Sequence, residues 1–366
     1  MSKKVVVAMS GGVDSSVAAA LLLEQGWEVI GVTLRLFSEE KNAVKCCGGA
    51  ESAEKARASA GALGIRHYFK SAQGLFARRV IKDFVDGYLA GRTPNPCVEC
   101  NRYLKFSYLF DLARELGATH LATGHYARVE RKGADWGLYR GKDPNKDQSY
   151  FLHCLMRDQL QRLLFPLGGL HKTEVRRLAK KYGLPSAGEP ESKDICFVTE
   201  GKYDEYLRRA AGVGKKPGNI VDAAGKRLGG HDGFFNFTIG QRRGTGVHGG
   251  SRLYVTAIRP KANEVVMGPL EAACSSSFGV NGLNWLAPVG AGPLRTTVQI
   301  RYRHQPAPCE VVYDGAHGEV RTDKPQFAVA AGQSAVFYEG DRLLGGGIIE
   351  DRRPAEPGRG PGKGNK

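Results

Sequence analysis

A glycine- and serine-rich turn at residues 10–16, Ser-Gly-Gly-Val-Asp-Ser-Ser, separates an apolar strand from an apolar helix. The β-branched residues of 3–9 predict a buried strand, and the Ala- and Leu-rich segment 17–25 predicts a helix that ends at Gly26. Residues 27–37 predict a second strand. Strand, helix and strand in this order form a βαβ unit, which requires a parallel sheet covered by helices. We therefore expect an α/β fold.

The turn has the composition of an anion-binding site. N–H groups at the start of a helix and the positive end of its dipole attract phosphate. Gly11 and Gly12 allow the backbone to approach a phosphate closely, and the serines add hydroxyl donors. The string matches neither the Walker A loop nor the G-x-G-x-x-G fingerprint. Asp14 is interpreted as a magnesium-side ligand or as a helix residue matched to the dipole. A tight turn without a ligand is the alternative.

The alternation of helix and strand continues to about residue 197 and then gives way to short β-like runs with glycine turns. Helices are predicted at 51–63, 74–89, 102–116, 148–155, 157–164 and 172–182, strands at 65–69 and 119–123, a hairpin at 127–131 and 137–140, and a polar loop at 92–101. The later β-like runs are 234–239, 252–258, 264–267, 295–300, 309–313, 326–329 and 334–338. This last part predicts one or two small β domains, one of them a barrel.

The net charge and the hydropathy of the chain indicate its partner and its location. The formal net charge is +16, which indicates a polyanionic partner such as RNA or DNA, with solubility alone as the alternative. Arg242-Arg243 and Arg301-Tyr302-Arg303 suit phosphate binding and base stacking, or a solvated basic face. The chain has no apolar run of membrane-spanning length and no signal peptide, so we expect a cytoplasmic protein with no membrane partner.

The cysteines indicate sulfur chemistry. In a cytosolic protein, eight cysteines point to catalysis or metal binding and away from a disulfide scaffold. Cys97 and Cys100 form a C-x-x-C, and Cys196 stands far from them with Lys193 nearby to lower its pKa. One thiol can carry a transferable sulfur while a second completes its release. Zinc on these three thiols plus His125, and an iron–sulfur cluster on the same three, stay open as alternatives. The pair Cys46-Cys47 is interpreted as incidental.

The loop at 10–16 resembles the signature of the ATP pyrophosphatases, which adenylate a carbonyl oxygen and release pyrophosphate. Across the whole chain the sequence resembles the bacterial tRNA-specific 2-thiouridylase family. The strings that carry this resemblance, in matching order, are 10–16, 92–101, 122–126, 146–151, 192–197, 237–244 and 332–336. The resemblance implies ATP-dependent thiolation at C2 of the wobble uridine. It also implies an ATP pyrophosphatase catalytic domain over 1–198, a central tRNA-binding domain over 199–272 and a C-terminal β-barrel over 273–351, ahead of a disordered basic tail at 352–366.

The same resemblance implies a role for individual residues. Cys100 matches the nucleophile and Cys196 the persulfide carrier. Residues expected to hold ATP, with Mg²⁺, are Ala8, Met9, Ser10, Gly11, Gly12, Val13, Asp14, Ser15, Leu34 and Gly124. Residues expected to contact the target base are Asn95, Pro96 and Cys97, and those expected to contact tRNA elsewhere are His125, Lys146, Asp147, Gln148, Arg301, Tyr302 and Gln333. The expected sulfur donor is a cysteine desulfurase or a sulfur-relay protein.

Two features leave alternatives open. Many members of the family carry Asp where this chain has Cys97, so Cys97 could act as a resolving thiol or a cluster ligand. For His125, a structural role is an alternative to a tRNA contact.

A zinc- or iron–sulfur-bearing RNA-binding protein with a vestigial ATP loop is a second hypothesis for the chain. A ligase of the GMP or NAD synthetase kind is a third, but it gives Cys100 and Cys196 no role.

Overall fold

The computed structural model describes residues 3–37, 49–189, 195–198, 203–247 and 252–350. Cys46, Cys47, Lys193 and the tail at 352–366 lie outside the described residues, so the interpretations given to them above stay predictions. Within the described ranges, every helix is too short or too polar to cross a membrane.

A parallel five-stranded sheet forms the first part of the fold, in the order β3-β2-β1-β4-β7. Its elements and their helices are β1 (Lys4–Ala8), α1 (Val13–Glu24), β2 (Glu28–Arg35), α2 (Ala50–Ala62), β3 (Arg66–Ser71), α3 (Gln73–Phe76), α4 (Lys82–Leu89), α5 (Pro96–Glu99), α6 (Leu109–Glu115), β4 (His120–Ala122), β5 (Ala127–Lys132), β6 (Asp135–Arg140), β7 (Leu163–Leu164) and α7 (Lys172–Lys181). Val5, Val6 and Val7 of β1 are fully buried, because helices cover both faces of the sheet. The predicted α/β class is confirmed.

Two long helices contain π-helical stretches. Ala77–Ile81 joins α3 to α4, and Cys100–Tyr108 joins α5 to α6. The predicted helix at 74–89 is confirmed, but the predicted loop at 92–101 is wrong from Pro96 onward. Asn95 caps this helix, its side chain accepting a hydrogen bond from the Cys97 N–H at 3.2 Å, and proline occupies the first helical position. The helix therefore begins six residues earlier than 102.

The segment between β6 and α7 is less helical than its pattern suggests. The predicted helices at 148–155 and 157–164 are wrong, because Ser149–Leu152 and Arg157–Arg162 are short 3₁₀ helices and the chain then enters β7. The predicted hairpin is confirmed as β5 and β6. It leaves the parallel sheet, because β6 pairs antiparallel with a strand near the end of the chain, Leu138 opposite Leu343.

A central unit follows. It consists of α8 (Tyr203–Ala211), β8 (Gly218–Val221), β9 (Arg227–His231), β10 (Tyr254–Arg259) and β11 (Glu264–Gly268). The strands form a four-stranded sheet in the order β10-β11-β8-β9. The predicted strand at 234–239 is wrong. Phe234–Asn236 is a 3₁₀ turn whose phenylalanines are buried, so the apolar run there fills a core and does not enter the sheet.

The last part of the chain is a closed barrel, as predicted. Its strands are β12 (Cys274–Trp285), β13 (Leu294–Gln299), β14 (Ala307–Asp314), β15 (His317–Phe327), β16 (Ser334–Glu339) and β17 (Arg342–Ile349). The barrel closes because β12 pairs with both β15 and β17, which removes the exposed edges of the sheet. The β5–β6 hairpin adds two strands beside β17.

The three parts share apolar cores. One cluster joins Val6 and Leu121 of the parallel sheet to Val336 and Leu343 of the barrel. A second, which we call the central cluster, joins helix residues of the first part to the central unit. Its buried members are Leu36, Ala72, Phe76, Val80, Phe84, Val85, Tyr88, Leu104, Phe197, Leu207, Ile220, Phe234, Phe235, Phe237, Val255, Val265 and Met267. The three parts are thus held together by common apolar packing.

Candidate active site

The serine and glycine loop lies between β1 and α1, as the sequence predicts. The Ser10 N–H donates to Ser15 Oγ at 3.1 Å, and Ser15 Oγ in turn donates to the Gly12 carbonyl at 3.1 Å. Gly11 has a φ of +80°, and a Cβ there would stand 2.3 Å from the Ser52 carbonyl oxygen of α2. These bonds fix the loop at a helix N-terminus, where the first N–H groups have no intrahelical partner and suit a phosphate.

The loop lies at the point where the strand order reverses. The sheet runs from β1 to β2 on one side and to β4 on the other, and ligands of open α/β sheets bind at such a point, beyond the carboxyl ends of the strands. Gly124 follows β4, and a Cβ on it would stand 2.8 Å from the Ser15 nitrogen. Leu34 lies near the end of the neighbouring β2. The structure thus brings the residues predicted to hold ATP to one edge of the sheet.

Asp14 has partners that the sequence did not reveal. Its carboxylate accepts hydrogen bonds from Lys172 Nζ at 2.6 and 2.7 Å and from the Tyr126 hydroxyl at 2.7 Å. Lys172 is almost fully buried at the start of α7. Asp14 lies in the first turn of α1, as one of its two interpretations requires, and it also ties α1 to α7. A lysine at a helix N-terminus opposes the dipole, which is the signal that could have identified Lys172.

The C-x-x-C lies on the helix that Asn95 caps. Cys97 is exposed in the first turn, and Cys100, three residues later on the same face, is half-buried. The helix is held from below, because Asn101 Nδ2 donates to the Phe151 carbonyl at 2.9 Å and Cys154 Sγ lies 3.6 Å from the Val98 carbonyl. Residues 96–101 are therefore part of a supported helix and not of a free loop.

Cys100 and Cys196 pack against the same apolar surface, the central cluster. Phe197, next to Cys196, is buried there with its ring 5.1 Å from that of Phe84. Burial raises the pKa of Tyr206 to about 12, with Arg209 opposing this rise and Cys196 adding to it. No disulfide joins Cys100 to Cys196 in this structure. Tertiary packing thus places two thiols that are 96 positions apart in sequence on one cluster.

Two other thiols serve as a contrast. Cys154 and Cys309 are buried, and burial raises the pKa of each to about 12. A thiol with such a pKa stays protonated at neutral pH and is a poor nucleophile.

Near the cysteine helix, burial also raises the pKa of Glu99 and of Asp83, with Arg102 opposing the shift at Glu99 and Arg92 opposing it at Asp83.

Several residues predicted to contact tRNA have partners inside the protein. Asp147 accepts hydrogen bonds from the Gly141 and Ser149 N–H groups at 2.9 and 3.1 Å and pairs with Arg140. Gln148 Oε1 accepts from the Tyr126 N–H at 3.0 Å. These two side chains shape the loop 141–149, of which Lys146 is a half-buried member. Their contact with tRNA stays a prediction.

His125 and Tyr302 also pack against neighbours. His125 Nδ1 lies 2.6 Å from Thr123 Oγ1, and burial, aided by Lys105, lowers the pKa of His125 well below its usual value. It is therefore a neutral ring at neutral pH. The Tyr302 ring centroid lies 4.6 Å from that of Phe151, and the Arg301 guanidinium lies 5.8 Å from the Phe327 ring. Gln333 Nε2 donates a hydrogen bond to the Thr93 carbonyl at 2.8 Å.

The carboxylates, thiols and imidazoles of the described residues do not gather into a group of three or more that could hold a metal ion. Cys97, Cys100 and Cys196, the alternative ligands of a cluster, are all among the described residues. Asp14 is engaged by Lys172 and Tyr126, so it is not arranged as a member of a carboxylate cage.

A buried histidine beneath the cysteine helix predicts a dependence of stability on pH. His153 is 1% exposed, and burial, together with Arg102, lowers its pKa to about 3. The folded protein keeps it neutral, whereas the unfolded chain binds a proton below roughly pH 6.5. The free energy of unfolding should therefore fall as the pH drops below that value, by about 1.4 kcal/mol from this group between about pH 7.5 and pH 5.5. Urea unfolding of wild type and His153→Gln at both pH values measures it. An identical loss in both proteins would contradict the assignment.

The fold and the site define an α/β enzyme with a phosphate-type loop at the edge of its sheet, two thiols on one apolar cluster and a barrel at its end. Residues 3–200 match the family model described as the tRNA methyl transferase HUP domain. Residues 205–269 match its PRC-barrel domain, and residues 275–349 match the aminomethyltransferase beta-barrel domain. The matches follow the three structural parts in order.

Curated relatives are similar over nearly the whole chain. The tRNA-specific 2-thiouridylase MnmA of Geobacter metallireducens is 46% identical over 357 residues, 95% of this chain and 97% of that protein. The MnmA of Carboxydothermus hydrogenoformans is 47% identical over 360 residues, 96% of this chain and 98% of that protein. A solved 4-thiouridine synthetase–RNA complex with bound ATP is similar at 21% identity, over 57% of this chain and 50% of that one, with a TM-score of 0.38, too weak a likeness to argue from.

This chain belongs to the tRNA-specific 2-thiouridylase family. The family and the fold class predicted from the sequence are thereby confirmed, and so is its assignment as a tRNA sulfurtransferase enzyme.

Proposed function

We propose that this chain catalyses the ATP-dependent 2-thiolation of the wobble uridine in tRNA. The observation that carries the proposal is the placement of Cys100 and Cys196 on one apolar cluster, in a chain whose phosphate-type loop lies at the reversal point of the sheet. An ATP loop alone suits many ligases. A ligase of the GMP or NAD synthetase kind would have no use for two thiols on one cluster.

The first step uses ATP as a substrate. The uridine C2 oxygen attacks the α-phosphorus, and pyrophosphate leaves, which makes C2 electrophilic and gives its oxygen a good leaving group. The loop from Ala8 to Ser15, with Leu34 and Gly124, is assigned to ATP. Its helix N-terminus and serine hydroxyls suit the phosphates, and Gly124, which has no side chain, allows the loop after β4 to lie against the start of α1.

The second step transfers sulfur. The terminal sulfur of a persulfide on Cys196 attacks C2, and AMP leaves. The Cys100 thiolate then attacks Cys196 Sγ, forming a Cys100–Cys196 disulfide and releasing the 2-thiouridine. In an alternative order, Cys100 first releases the sulfur as sulfide, which then attacks C2. An external thiol reductant restores both cysteines, and a cysteine desulfurase or sulfur-relay protein reloads Cys196.

The tRNA partner is supported by family membership and by the net charge of +16. The base is assigned to Asn95, Pro96 and Cys97, at the start of the cysteine helix. The remaining predicted contacts other than Gln333, the cytoplasmic location and the domain borders at 198, 272 and 351 are kept as part of the proposal. Mg²⁺ accompanying ATP is also kept, with no ligand assigned to it because Asp14 is paired with Lys172, and no step is assigned to a metal cluster.

One experiment tests the proposal against its alternatives. Purified protein is incubated with ATP, unmodified tRNA and a persulfide donor, and both pyrophosphate and modified nucleosides are measured. We expect pyrophosphate release that depends on tRNA and a uridine heavier by the mass difference between sulfur and oxygen at the wobble position. RNA binding without either product would favour the RNA-binding protein, and pyrophosphate release without thiolation would favour the ligase.

A further inference from the structure

A turn of the C-terminal barrel contacts the segment that leads into the cysteine helix. We call residues 330–334 the barrel turn and residues 93–97 the cysteine loop. The Thr93 N–H donates to the Ala331 carbonyl at 2.8 Å, and Gln333 Nε2 donates to the Thr93 carbonyl at 2.8 Å. Both polar groups of one backbone residue are therefore held by the same turn, which fixes the orientation of the peptide planes on either side of Thr93.

The contact is close as well as polar. Gly332 has a φ of +89°, and a Cβ on it would stand 3.0 to 3.1 Å from the backbone atoms of Thr93. The cysteine loop thus lies against Gly332, and a larger residue at this position would displace the loop. On the opposite side, Pro94 lies against Gly87 of α4, where a Cβ would meet the proline ring at 2.8 Å. The loop is held between the barrel and α4.

A buried tyrosine adds a third connection. The Tyr150 hydroxyl donates to the Ser334 carbonyl at 3.0 Å, and Asn95 lies close enough to this hydroxyl to oppose the rise that burial causes in the pKa of Tyr150. Asn95 is the residue that caps the cysteine helix. His153 Nε2 lies 2.9 Å from Ser334 Oγ and anchors the same turn from below. Hydrogen bonds therefore join the barrel turn to Thr93, Tyr150 and His153, which lie beside the helix cap.

Because the cysteine helix begins directly after Asn95, the positions of Thr93 and Asn95 determine where its two thiols lie. Cys97 and Cys100 lie two and five residues beyond the cap, about 3 and 8 Å along the helix axis. A helix is stiff over this length, so a shift of Thr93 and Asn95 moves both sulfur atoms with it. Misplacement of a reacting group by about 1 Å can cost a hundredfold in rate.

We propose that Gln333 is a positioning residue, which holds the cysteine loop through Thr93 and thereby sets where Cys100 stands. Family resemblance implies a tRNA contact for Gln333, whereas its amide nitrogen is already bonded to Thr93 without RNA. The barrel then contributes to sulfur transfer by orienting the nucleophile. The catalytic consequence rests on the proposed function, but the structural link does not.

Gln333→Met tests this inference, because methionine keeps the length of the side chain and removes the donor. Amide hydrogen exchange of the protein alone should be at least fivefold faster across residues 93–100 in the variant. With tRNA, the single-turnover rate of thiolation should fall about tenfold, while the Kd for tRNA changes less than twofold. Gly332→Ala, which displaces the loop by contact and leaves the amide in place, should give the same pattern.

A matched control removes a bond of the same kind elsewhere. Gln159 Nε2 donates to the Phe106 carbonyl at 2.6 Å, ten residues beyond Pro96 on the same helix. Gln159→Met should leave exchange at 93–100 unchanged. Unchanged exchange in Gln333→Met, with a Kd for tRNA tenfold weaker, would overturn the inference and make Gln333 an RNA contact. Should wild type itself not thiolate tRNA, the proposed function fails, and the exchange experiment still decides the structural link.

Discussion

Replacing Cys196 by serine should lower tRNA thiolation on the order of a thousandfold, while the first turnover of pyrophosphate release with ATP and tRNA stays close to wild type. A hydroxyl cannot carry a persulfide, and it keeps its proton far above neutral pH, so no sulfur reaches the activated base. Cys100→Ser should show a loss of the same order, because the intermediate on Cys196 is no longer resolved. Mass spectrometry of digested tRNA and a coupled pyrophosphate assay measure the two steps separately.

The control for this pair is Cys274→Ser. Cys274 is a half-buried thiol like Cys100 and Cys196, but it begins the first barrel strand. We expect this variant to thiolate tRNA at the wild-type rate. Full thiolation by both Cys100→Ser and Cys196→Ser would show that neither thiol takes part, and the sulfur-transfer step as written would be wrong. Loss of pyrophosphate release in Cys196→Ser alone would instead assign that residue to the first step.

The second large effect is expected at Gly11. Gly11→Ala should lower the free energy of unfolding by about 3 kcal/mol and remove the stabilisation that ATP confers. The residue has a φ of +80°, which strains any L side chain, and its Cβ would stand 2.3 Å from the backbone of α2. Either α2 moves or the peptide flips, and both displace the N–H groups assigned to phosphate. Urea unfolding with and without ATP measures the two effects.

The neighbouring glycine is the matched control. Gly12 has a φ of −83°, and the nearest heavy atom to an added Cβ is Ser10 Oγ at 3.5 Å, an ordinary contact. Gly12→Ala should therefore cost less than about 1 kcal/mol, the difference between glycine and alanine at a helix cap. Equal loss of stability in the two variants would contradict the account of the loop. Each variant adds one methyl group to the wild-type protein, so a difference between the two variants reports only the position of that group.

Where local patterns dominated, prediction from the sequence succeeded. The strand at Lys4–Ala8, the turn after it and the following helix are specified by residues within about twenty positions of each other. The hairpin at 127–140 also follows from local alternation. Errors arose where a capping residue or tertiary packing decided the outcome. Asn95 and Pro96 begin a helix inside a segment rich in loop residues, and the phenylalanines at 234–237 fill a core.

The sequence by itself determined the α/β class, the turn between β1 and α1 and the family, because short motifs and period-matched apolar residues carry that information. Only the tertiary structure decided which residues meet. Lys172 pairs with Asp14 across 158 positions, Gln333 holds Thr93 across 240, and Cys100 and Cys196 share one cluster. Contacts at such separations depend on how the sheet, the central unit and the barrel pack together, and no local pattern in the chain encodes that packing.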